Sequence, residues 1–133
     1  MLHRTDLTPR ERLLAVFDIH APLCPFIGAA VEIADPEHPA RVRVREYKQS
    51  VAGRLAETAR EAGATDPEQL GEQLALLLDG ASARTRPLNS ETLPTAAALA
   101  TTLIELALPK TSARTRPGKG RRSASATAAT TAP

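Results

Sequence analysis

From Val44 onward, apolar side chains recur three and four positions apart: Val44, Tyr47, Val51, Leu55, Ala59 and Ala62. That spacing places them on one face and predicts a long helix over residues 35–62. Asp35 is a suitable N-cap and Pro36 suits the first helical position, where no backbone donor is lost. Gly63 is a natural stop. Charged residues such as Arg41, Arg45, Arg54, Glu57 and Arg60 fall on the opposite face.

The same reading extends to the rest of the chain. Thr8-Pro9-Arg10-Glu11 is a capping box with proline at the first helical position. Leu13, Leu14 and Phe17 follow as a short apolar face, which Pro22 should end. Residues 26–34 predict a short helix rich in small residues, open to the close approach of another helix. Asp66 and Gln69 mark a further start. Leu70, Leu74, Leu77, Leu78 and Ala81 form its stripe, and Leu76 lies off that stripe. A helix apolar on more than one side is usually sandwiched between neighbours. It is expected to reach about residue 85, with Asp79-Gly80 a candidate interruption and Pro87 and Asn89 predicting a loop over 84–90. Ser90 or Thr92 is a cap for the last helix, over 92–108, with Pro94 in its first turn. Leu99, Leu103 and Leu106 run along it, flanked by Ala96, Ala100, Ile104 and Ala107. The pattern is an all-α bundle of about five helices.

Composition supports that class. Hydrophobic residues make up 42% of the chain, mostly Ala and Leu. The aromatic residues are Phe17, Phe26 and Tyr47 alone. This mixture favours helices over a β-sandwich, which draws on β-branched and aromatic residues. Residues 109–133 carry Lys110, Arg114, Arg116, Lys119, Arg121 and Arg122 and no acid. With a net charge of +2 over the whole chain, the other residues therefore sum to −4. An acidic body argues against its lying along a phosphate backbone. The basic segment lacks apolar periodicity and reads as a disordered tail, like the start over residues 1–7. Its Ser112–Pro117 hexapeptide repeats Ser82–Pro87, which is too short for a structural repeat. The single cysteine excludes an intrachain disulfide and suits a reducing cytoplasm. The first residues lack the apolar core of a signal peptide. The uncharged run over 93–104 is too short to span a bilayer. The expected location is the cytoplasm.

Little points to reaction chemistry. His20 and Cys24 are four apart, but Pro22 and Pro25 break any helix that would align them, and no orienting acid is evident. His3, His20 and His38 lack metal-ligand spacing. No phosphate loop or nucleophile elbow is present. The chain is expected to be neither an enzyme nor a cofactor or metal protein.

Between the elements lies an ordered series: Cys24-Pro25-Phe26, Glu32, Asp35-Pro36-Glu37-His38-Pro39, Lys48, Ala62-Gly63, Asp66-Pro67-Glu68 and Leu78-Asp79-Gly80-Ala81. Over about residues 8–106 this series resembles the C-terminal regulatory domain of TetR/AcrR-type bacterial transcriptional regulators. The segment between Phe17 and Cys24 is shorter than in that pattern. The resemblance implies a domain over 8–108 that senses a small, apolar effector and forms a homodimer within a transcriptional repressor. It implies a pocket lined by Phe17, Cys24, Phe26, Ile27, Val31, Val44, Tyr47, Lys48, Val51 and Leu77. It assigns the dimer interface to the last two helices, through Leu70, Leu74, Leu78, Leu99, Leu103 and Leu106. Pattern alone leaves those stripes equally suited to one monomeric core, and for the pocket candidates it favours the plainer reading, surface for Lys48 and core for the rest. No helix-turn-helix pattern is legible, so DNA contact is expected only through a domain not present in this chain. A second expectation is an interaction module that pairs with full-length relatives and spoils their DNA binding.

Overall fold

The computed structural model describes residues 2–18, 32–88 and 91–110, apart from the Arg86 side chain. Among these residues the chain is all-helical. The helices are α1 (Pro9–Ala15), α2 (Pro39–Glu61), α3 (Pro67–Leu88) and α4 (Leu93–Ala107), and a single 3-10 turn (Val16–Asp18) continues α1. The expected short helix over 26–34 falls mostly outside the described residues, as do residues 111–133 of the basic segment. No described helix is long and apolar enough to cross a membrane.

The capping box forms as its residues dictate. The Glu11 N–H donates to Thr8 Oγ1 at 3.2 Å, and Thr8 N–H donates to Glu11 Oε2 at 2.8 Å. Ahead of it, residues 2–7 form turns. Leu2 packs against the core and its carbonyl accepts from Arg12 Nη1 at 2.9 Å. Arg12 also pairs with Glu61 at the end of α2.

The long helix starts three residues later than expected. His38 is the N-cap, its Nδ1 accepting from Ala40 N–H at 3.1 Å, and Pro39 takes the first helical position. Asp35 instead closes a local turn by accepting from Glu37 N–H at 2.9 Å. The second proline decides the matter. In a helix begun at Pro36, Pro39 would sit where an intrahelical donor is required, and its ring would force His38 out of the α region. Arg41 holds the preceding turn by donating to the Ile33 and Ala34 carbonyls, each at 3.2 Å. At the other end, Gly63 adopts φ +85°. Its N–H donates to Arg60 O at 3.0 Å and Ala64 N–H donates to Ala59 O at 2.9 Å. This paired closure needs a left-handed residue just past the cap, which glycine supplies without steric cost.

α3 packs along α2 on one side and α4 on the other, while α1 and the 3-10 turn lie across α2 and α4. The core between them is Leu13, Val16, Phe17, Leu55, Ala59, Leu70, Leu74, Leu78, Ala81, Ala96, Ala100 and Ile104. The α2–α3 contact is close because Gly71 faces the α2 backbone. A β-carbon at that position would lie 2.8 Å from Ala56 N and 2.9 Å from Ala52 O. α3 runs through Asp79-Gly80 without a break and continues to Leu88, so the expected loop over 84–90 is helical as far as Leu88. Pro87 occupies its last turn, where the carbonyl freed by the missing N–H belongs to exposed Ala83. Thr92 sits at the N-cap of α4, but its side chain makes no capping bond. Its hydroxyl donates instead to Ala81 O on α3 at 2.6 Å, fastening the two helices.

Candidate functional site

α4 carries two apolar stripes, and the structure buries the smaller one. Ala96, Ala100 and Ile104 face the core. Small side chains let α4 approach its neighbours closely, so the Ala-rich stripe wins the interior. At about 100° per residue, Leu99 and Leu106 are turned about 100° and 120° from Ala100. They stand out from the bundle, 52% and 80% exposed. Leu103 lies between the stripes, partly buried against the core. The only charged residue within α4 is Glu105. On α3, Leu76 is 73% exposed. The last two helices thus leave large apolar side chains in solvent.

The six residues assigned to a dimer interface therefore divide. Leu70, Leu74 and Leu78 are buried in the chain's own core, facing inward rather than outward. Leu99 and Leu106 are exposed and Leu103 is at the margin. Leu76, absent from that assignment, joins the exposed set. Its position off the main stripe of α3 was the sequence signal that could have found it.

The pocket candidates also separate. Cys24, Phe26, Ile27 and Val31 lie outside the described residues. Phe17 and Val44 are buried, and Val51 and Leu77 are partly buried against the core. Tyr47, expected on the inward face, is 52% exposed. The helical geometry accounts for this. Tyr47 is turned about 80° from Leu55, whereas Lys48 is turned only about 20°. Lys48 thus takes the place on the stripe, and its ammonium reaches Asp79 on α3 at 2.6 Å. An ion pair at a half-open position adds little stability.

A cleft of about 940 Å³ opens elsewhere, between the start of α1 and the ends of α2 and α4. Thr8, Arg10, Glu61, Glu105 and Lys110 are among the residues that line it, and none of the described pocket candidates does. Its charges are largely mutual: Arg10 pairs with Glu105 at 3.4 Å, and Glu61 pairs with Arg12. Among the described residues no cluster of His, Cys, Asp and Glu has the makings of a metal site.

Comparison with known protein families, curated proteins and solved structures finds no match for this chain.

Proposed function

We propose that this chain is the effector-sensing and dimerisation domain of a TetR-like transcriptional regulator. The observation that carries the dimer is the outward leucine row of α4, Leu99 and Leu106, on a helix with a single charge. Covering a leucine side chain fully is worth about 2 kcal/mol. Leu106, four-fifths exposed, retains most of that gain for a partner surface. A twofold contact would use the row twice, since each protomer presents the same patch. The ordered motif series from Cys24 to Ala81 supports the family reading and with it the small, apolar effector. Of the described pocket candidates, Phe17 lies in the core, Val51 and Leu77 pack against it, and Val44 is buried on α2 outside that core. In such a regulator, operator contact belongs to a helix-turn-helix outside this sequence.

The test has two parts. Light scattering after size exclusion reads the dimer, and its loss in Leu99→Glu/Leu106→Glu ties it to α4. A thermal-shift screen with small apolar compounds reads the effector, because a ligand at one hundred times its Kd stabilises the folded state by about 2.7 kcal/mol. A monomeric chain would overturn the dimerisation reading. A dimer that the double substitution leaves intact would move the interface off α4.

A further inference from the structure

We draw no further inference here: the strongest candidate, the mixed-charge cleft between the start of α1 and the ends of α2 and α4, carries nothing because its carboxylates Glu61 and Glu105 are already engaged by Arg12 and Arg10 and nothing in the structure shows what would bind there.

Discussion

Gly71→Ala should destabilise the protein although alanine is the better helix former. In a helix interior the exchange is worth about 1 kcal/mol in favour of alanine. At Gly71 the added methyl would meet Ala56 N at 2.8 Å, and Ala52 O and Ala56 Cβ each at 2.9 Å. Two of these three atoms belong to the backbone and cannot turn aside, so α2 and α3 must separate. Overpacking of this kind costs about 1–3 kcal/mol. The upper end applies, because parting the helices also loosens Leu55 and Ala59 from Leu70 and Leu74. Setting a cost of about 3 kcal/mol against a gain of about 1 leaves a net loss of about 2 kcal/mol. Gly80→Ala is the internal control. It lies in the same helix with nothing within 4 Å of the new methyl, so only the propensity gain remains. Urea unfolding followed by far-ultraviolet circular dichroism would then separate the two variants by about 3 kcal/mol, with Gly80→Ala the more stable. A Gly71→Ala protein as stable as the parent would refute the close α2–α3 contact.

Other substitutions probe the remaining parts of the account. Leu74→Ala removes a fully buried side chain from the centre of the core and should cost about 3 kcal/mol in the same unfolding assay. Thr8→Ala removes the side-chain cap of α1 and should cost about 1 kcal/mol, visible as a lower urea midpoint. The Thr8 N–H and hydroxyl hold the Glu11 carboxyl below its ordinary value of 4.5. A depressed carboxyl contributes stability that is fully present above that value and is lost as pH falls through the lower, folded one. Glu11→Gln should therefore flatten the acid limb of the stability–pH curve below pH 4.5, and an unchanged limb would contradict the capping contribution. Leu99→Glu alone, at an exposed site, should shift monomer stability by no more than about 0.5 kcal/mol.

Much of the helical architecture was legible because it depends on short-range chemistry. The Thr8–Glu11 box, the Asp66 turn and the Gly63 stop each involve residues within a few positions of one another. So does the stripe Leu70, Leu74, Leu78 and Ala81, whose spacing alone marks the buried face of α3. The start of α2 was misplaced where two acceptor–proline pairs compete, and the competition turns on what Pro39 would do inside a helix begun at Pro36. The reach of α3 through Pro87 depends on solvent access to a carbonyl, which spacing does not reveal. Which stripe of α4 faces inward was less legible still. Leucine has more to gain from burial than alanine, but helix–helix separation favours the small residues, and that separation is a tertiary quantity. The same holds for Tyr47 and Lys48, where both positions fit a three-or-four spacing from Val44 and only the phase set by Leu55 distinguishes them.

The proposed homodimer pairs through the outward leucines of α4. Sedimentation velocity at micromolar concentration, on the parent chain and on Leu99→Glu/Leu106→Glu, tests it most directly. The expected result is a parent species of about twice the 14.1 kDa chain mass and a helical monomer for the double variant. A parent that sediments as a single 14.1 kDa chain across that range would contradict it.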